Sequence, residues 1–288
     1  MRYQQVSGQA RQRAAVPAWI GRALVFGVLA VAAAAILFPL LWMLLTSLKP
    51  ETDVVKYPPS LWPSTWTLDG YFDIWNRVPF GRFFINTVVF AGGVTACQLL
   101  FDSLTAYALS RLRFPGRDVL FVVILIALML PFQVSFIPLY VLVSNLGWLN
   151  TFAGLIIPRA SSAFGIFLLR QFFLTLPREL DEAARIDGAS EFTIYRRIIL
   201  PLSVPALITL AVFHLTYNWN DFLWPLLVTT STEMRTLPAG LALFVGDHVV
   251  EYAVVMAGAT LALAPLFIAF VVLQRYFVRG VALTGLKE

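Results

Sequence analysis

The polar residues most open to chemistry in this chain form a run suited to docking rather than catalysis. From Pro177 to Pro201 it reads Pro-Arg-Glu-Leu-Asp-Glu-Ala-Ala-Arg-Ile-Asp-Gly-Ala-Ser-Glu-Phe-Thr-Ile-Tyr-Arg-Arg-Ile-Ile-Leu-Pro. Pro177 suits the first turn of a helix, and Glu179, Asp181 and Glu182 place negative charge at its positive dipole end. Ala183 and Ala184 give that helix a low profile, and Asp187-Gly188-Ala189 supplies a turn. A second short helix is expected from about Ser190, with Arg196 and Arg197 in its last turn, ended by Leu200-Pro201. Two short helices at a bend, faced with small residues, let another protein approach closely. A solvated connector is the plain alternative, but solubility alone does not require two alanines and a glycine among so many charges.

A second set of polar residues stands inside long apolar runs, where ionisable groups are costly and mark function by default. Asp102 and Arg159 are the charged members. Counted from the expected turns near Ser110 and Asn150, their depths differ by roughly 15 Å at 1.5 Å per residue, so a direct pair is not expected. Arg159, in Pro158-Arg159-Ala160-Ser161-Ser162, either lines a solute path, or snorkels, or makes a structural contact with another subunit; Asp102 is read mainly as a hydrogen-bonding partner of a neighbouring helix. Asn218, Trp219, Asn220 and Asp221 could match sugar hydroxyls and stack on a pyranose, or could equally form an interfacial belt with helix caps. Gln133, between Pro131 and Pro138, is a further pathway candidate.

Catalytic patterns are missing. No G-x-x-x-x-G-K-[ST], H-E-x-x-H or G-x-S-x-G occurs, and His214 and His248 lie far apart in sequence. A metal site is not expected, and no phosphate-cradling loop for ATP is present. Cys97 is the only cysteine, in an apolar run, and is read as packing.

The elements that position these residues are set by composition: 59% of the 288 residues are hydrophobic and 13% charged, too apolar for one soluble core. A membrane helix needs about 20 apolar residues. The chain is therefore expected to be an all-α integral membrane protein with six transmembrane helices near 23–47, 83–110, 119–143, 150–173, 202–228 and 253–274. Together they form a permease domain over 23–276, between tails at 1–22 and 277–288. The first segment is read as a retained anchor, being longer than a signal-peptide core. Of the 21 Lys and Arg, Lys49, Lys56, Arg77, Arg82 and Arg235 fall in outer loops if the N-terminus is inside. Arg159 falls within a span and the remaining 15 are inside, which predicts N-in, C-in and a cytoplasmic 177–201 loop. The formal charge of +5 then reflects topology rather than nucleic-acid binding.

The run Glu182-Ala183-Ala184, Asp187-Gly188-Ala189, Ile199-Leu200-Pro201 resembles the EAA loop of binding-protein-dependent ABC importer permeases, the coupling helix that docks in a cleft of the ATPase. Phe114-Pro115-Gly116-Arg117, Asn218 to Pro225 and Gln274 to Gly280 resemble the carbohydrate-uptake permeases, the subfamily of the maltose transporter's six-span subunit. The tail Leu286-Lys287-Glu288 departs from that pattern. The resemblance implies a subunit of the bacterial inner membrane that moves a sugar or sugar-like solute. It would pair with a second permease, two ATPase subunits and an extracytoplasmic solute-binding protein. The 229–252 segment would meet the binding protein, and the main sugar contacts can lie on the other permease. Glycerol-phosphate esters are an alternative solute class, and a self-sufficient secondary transporter is the rival reading, with no inverted repeat to support it.

Overall fold

A computed structural model describes residues 18–245 and 250–285. The first 17 residues of the N-terminal tail, the last three of the C-terminal tail, and Gly246, Asp247, His248 and Val249 of the 229–252 segment lie outside the described residues. The described chain is helical, with one isolated β-bridge, Val245 to Val250.

The main helices are α1 (Ala18–Thr46), α2 (Asp69–Arg77), α3 (Phe80–Arg111), α4 (Arg117–Met129), α5 (Phe136–Asn145), α6 (Phe152–Ile156), α7 (Ala163–Thr175), α8 (Glu179–Ile186), α9 (Glu191–Ile194), α10 (Val204–Trp219), α11 (Leu223–Val228), α12 (Leu237–Leu241) and α13 (Tyr252–Gly285). Within α1, Ile20–Thr46 is long and apolar enough to cross a bilayer, and so is α3. Three bent pairs reach that length together: Arg117–Met129 with Phe132–Asn145, Phe152–Arg159 with α7, and Glu191–Leu202 with α10.

The third apolar stretch, expected as one helix over 119–143, is interrupted by a 96° bend. Pro131 is the cause: it has no N–H to donate, and it forces Leu130 into an extended conformation with ψ of 127°. The fourth stretch bends by 44° after a 3-10 turn over Ile157–Arg159. The fifth is interrupted between Trp219 and Leu223. At the start of that fifth stretch, Pro201 was expected to end a helix, yet helix continues to Leu202. A π-turn over Tyr195–Ile199 widens the backbone ahead of the proline, and the 78° bend falls at Ser203.

Unbroken α3 is the pillar of the bundle, packing on α7 and α10. Along it lie two separate cores. One gathers Phe90 and Val94 of α3 with Val143, Leu155, Trp224 and Val228. The other gathers Ala106 and Tyr107 with Leu169, Phe173, Ile194, Ile199 and Leu210. A third cluster, built on Ile74, Phe83, Trp219, Leu237 and Val254, joins α2, α12 and α13 to the same pillar. Loops are stitched to it as well: Asn86 donates to the Glu233 and Arg235 carbonyls at 2.7 and 3.0 Å, and Thr87 accepts from the Leu237 N–H at 2.7 Å.

Gly165 lets α7 sit directly against Asp102 of α3. A Cβ there would overlap the Asp102 carboxylate and fall 2.9 Å from His214 Nε2. Gly165→Ala is expected to cost about 1–3 kcal/mol through overpacking, whereas Gly27→Ala, with open space around it, should be silent. Melting of the detergent-solubilised protein, followed by fluorescence-detected gel filtration, measures both.

Candidate functional site

The 177–201 segment folds as two short helices held firmly against the bundle. α8 begins after Arg178, so Pro177 lies just before the N-cap rather than in the first turn. Glu179, Asp181 and Glu182 do occupy that turn. The helix closes with a Schellman pattern: the Ala189 N–H reaches the Ala184 carbonyl at 2.9 Å and the Gly188 N–H reaches Arg185 at 3.0 Å. Gly188 takes the left-handed position, with φ of +81°, where a β-carbon is disfavoured. Ser190 then caps α9, accepting from the Thr193 N–H at 3.3 Å.

The segment has two faces. Ala184 and Ala189 turn inward and pack on the core around Phe173 and Ile194. Glu182, Ala183, Asp187, Gly188 and Pro201 are exposed, and Leu200 is half-buried. Ile186, 86% exposed, stands on the outer surface among them.

Three polar ties fix the inner face. Arg111, at the end of α3, pairs with Asp181 at 3.1 Å, with both side chains almost wholly buried. The same guanidinium donates to the carbonyls of Phe173 and Leu176 at the end of α7, where the helix ladder runs out. Tyr107 donates to Glu191 at 2.6 Å, and Arg185 holds the other oxygen of that carboxylate at 2.8 Å. Tyr195 and Ser103 share a hydrogen bond of 2.7 Å. Burial pushes the Asp181 carboxyl up from its ordinary range, with Arg111 opposing that rise. The Arg185 hydrogen bond holds Glu191 below its own. Sequence reading had counted Arg111 only as a topogenic charge; its place on the last turn of a long helix, four residues after Tyr107, was the available signal.

The proposed pathway residues divide into two groups. Gln133 and Asn220 remain exposed, the latter donating to the Thr216 carbonyl of its own helix at 2.8 Å. Asn218, Trp219, Arg159 and Asp221 are engaged within the chain. Asn218 donates to Gln98 at 3.2 Å, and the Trp219 indole donates to the Ala262 carbonyl at 3.0 Å with its ring edge-on to Phe84. Arg159 forms an ion pair with Asp221 and lies over the rings of Phe132 and Tyr217, 4.8 and 5.4 Å from their centroids.

Asp102 is wholly buried and accepts from the Ser161 hydroxyl and the Ser162 N–H, both at 2.8 Å, while its other oxygen lies 3.4 Å from His214 Nε2. It does not pair with Arg159, as expected. The 15 Å difference in depth, however, is wrong, since Asp102 touches residues two and three places beyond Arg159. The 32-residue α3 is roughly 48 Å long, well beyond the roughly 30 Å of a hydrocarbon core, so a depth counted from Ser110 at its end does not locate Asp102.

Arg111→Met should strand the buried Asp181 charge, at a cost of about 3–5 kcal/mol, whereas Arg111→Met with Asp181→Leu should recover most of that loss. Yields of folded protein after detergent extraction test this. Equal yields from the two variants would contradict the buried tie.

Residues 100–283 match the family model described as "binding-protein-dependent transport system inner membrane component". The arabinooligosaccharides transport system permease protein AraQ of Halalkalibacterium halodurans is 38% identical over 253 residues, covering 87% of this chain and 91% of that protein. The sn-glycerol-3-phosphate transport system permease protein UgpE of Escherichia coli is 40% identical over 255 residues, covering 86% and 91%. In the crystal structure of a bacterial ABC transporter involved in the import of the acidic polysaccharide alginate, one chain matches the fold with a TM-score of 0.80 at 24% identity, covering 96% of this chain and 100% of that one. With its apolar helices and its clamped 177–201 segment, this chain belongs to the binding-protein-dependent transport system inner membrane component family, the permease subunits of ABC importers.

Proposed function

We propose that this permease carries a carbohydrate or carbohydrate-like solute across the bacterial inner membrane as one half of a heterodimeric channel. In this reading six spans run N-in, C-in, and the 177–201 segment is cytoplasmic. A second permease, two ATPase subunits that bind ATP and Mg, and an extracytoplasmic solute-binding protein complete the importer. The arabinooligosaccharide and glycerol-phosphate systems named for its relatives support the solute class.

The observation that carries the coupling role is the two-faced α8. Its inner side is bolted to α3 and α7 through Arg111, so a push on its outer side moves those helices with it. Its outer side offers Ala183, Gly188 and an unpartnered Ile186, a surface of low relief with an apolar knob suited to a cleft in another protein. Closure of the ATPases on ATP would draw two such loops together, and the bent segments would rock from inward-open to outward-open. ATP therefore needs no site on this chain.

A β-carbon at Gly188 meets nothing within 4 Å in the isolated chain, so a larger side chain would project into the space a partner occupies. Gly188→Leu is expected to leave membrane insertion intact, beyond roughly 1–2 kcal/mol of left-handed backbone strain. Solute uptake and ATPase co-purification should both be lost. Gly188→Asn, which tolerates that backbone, should retain part of both. Normal uptake and normal recovery of the complex in the leucine variant would refute the coupling assignment.

The glycerol-phosphate reading has its own support in the 40% identity with UgpE. Calorimetry on the solute-binding protein that serves this permease separates the two. Tight binding of arabinotriose without binding of sn-glycerol-3-phosphate is the expected result, and the reverse would move the assignment to phosphate esters.

A further inference from the structure

We propose that Arg159 is a positioning residue for transport: it holds the outer parts of three interrupted segments together as one body and makes no contact with the solute. The inference rests on the permease reading and on the orientation given above.

The three breaks meet at this residue. Phe132 is the first residue of the 3-10 turn after the Pro131 break. Arg159 is the last residue of the 3-10 turn before the bend into α7. Asp221 lies in the interruption between α10 and α11. One guanidinium joins all three, through an ion pair to Asp221 and a ring contact to Phe132 at 4.8 Å. Such breaks are places where a helix can pivot, because the backbone ladder no longer resists bending. A charged tie across all three opposes independent pivoting.

Beyond the breaks the outer pieces already share one core. Val143 of α5, Leu155 of α6, and Trp224 and Val228 of α11 pack with Phe90 and Val94. The Trp224 indole donates to the Leu155 carbonyl at 3.2 Å, and Asn150 accepts from the N–H groups of Thr230 and Ser231 at 2.8 and 2.9 Å. The inner pieces, with the segment that carries α8, have a different core. The Arg159 pair thus sits where an outer body meets an inner one.

Its guanidinium has little left to offer a passing anion. The charge is closed on Asp221, the ring faces of Phe132, Tyr217 and Phe90 lie within 4.8 to 6.0 Å, and the residue is 6% exposed. Phosphate or carboxylate recognition by arginine needs a free planar edge. A solute-binding role for this side chain is therefore disfavoured against a fixed internal partner.

The test uses Arg159→Gln, Asp221→Asn and the double variant, each in the full importer and in a Cys97→Ser background. Nitroxides are attached through Ser144→Cys and Thr232→Cys, at the outer ends of two different segments, and their separation is followed by electron paramagnetic resonance. The native pair should give one narrow distribution that is unchanged between nucleotide-free and vanadate-trapped complexes. Arg159→Gln, which strands a carboxylate that is only partly open to solvent, should broaden it and lower receptor-stimulated ATP hydrolysis about tenfold or more. The double variant, with neither charge, should restore the narrow distribution and most of the hydrolysis. A residue that bound solute would leave the distribution narrow in every variant and hydrolysis low in the double. That outcome overturns the proposal, as does a native separation that shifts on trapping. Absence of receptor-stimulated hydrolysis in the native importer would refute the permease reading instead, and the distance measurement would still judge the tie.

Discussion

A helix interrupted inside a bilayer must satisfy its freed backbone groups and any charge it carries from within the protein, because hydrocarbon offers no hydrogen bonds. Much of this architecture follows from that constraint. Three apolar segments are broken, and side chains from other segments meet the fourth and fifth where they are interrupted. Ser161 and Ser162 reach Asp102, Arg159 reaches Asp221, and Trp224 reaches the Leu155 carbonyl. The unbroken α3 supplies Asp102, and at its C-terminal end Arg111, which donates to the Phe173 and Leu176 carbonyls where α7 ends. Helix ends and polar partners coincide along the molecule. In a soluble protein, water could have served many of these groups.

The apolar runs were legible because twenty uncharged residues have few other uses, and the division at Ser144 to Gly147 was legible because turn residues interrupt an otherwise continuous run. The bends were less so. Pro131 and Pro158 were visible, but proline is tolerated in membrane helices when neighbours accept the freed groups, so its presence alone does not separate a kink from a break. Pro201 is the converse case: a terminator on paper, accommodated by a π-turn whose extra residue leaves no mark in the composition.

The docking segment was the easiest part to read, since its logic is local. A helix of eight residues, a glycine at the left-handed cap and a serine at the next N-cap are all set by near neighbours in sequence. The polar residues within the membrane were hard to read for the opposite reason. Asp221 was grouped with Asn218, Trp219 and Asn220 because they are adjacent, yet its partner lies 62 residues away and that of Asn218 lies 120 away. Periodicity shows that a residue sits in a span, but which way it points depends on the packing of every other span.

The two ends of the described chain are joined across the whole fold. Glu51, just after α1, accepts from the N–H groups of Tyr252 and Ala253 at 3.0 and 2.8 Å, capping α13 from 201 and 202 residues away. The main intramolecular neighbour of α1 is α13, and the lipid-length part of α1 is otherwise bare. A ribosome delivers chain from the N-terminus, so α1 is made long before the helix it packs against and has to wait for it. During that interval its apolar surface is covered only by lipid, and the Glu51 carboxylate has no helix end to cap. When α13 emerges it thus closes the bundle and, in the same step, gives α1 its place.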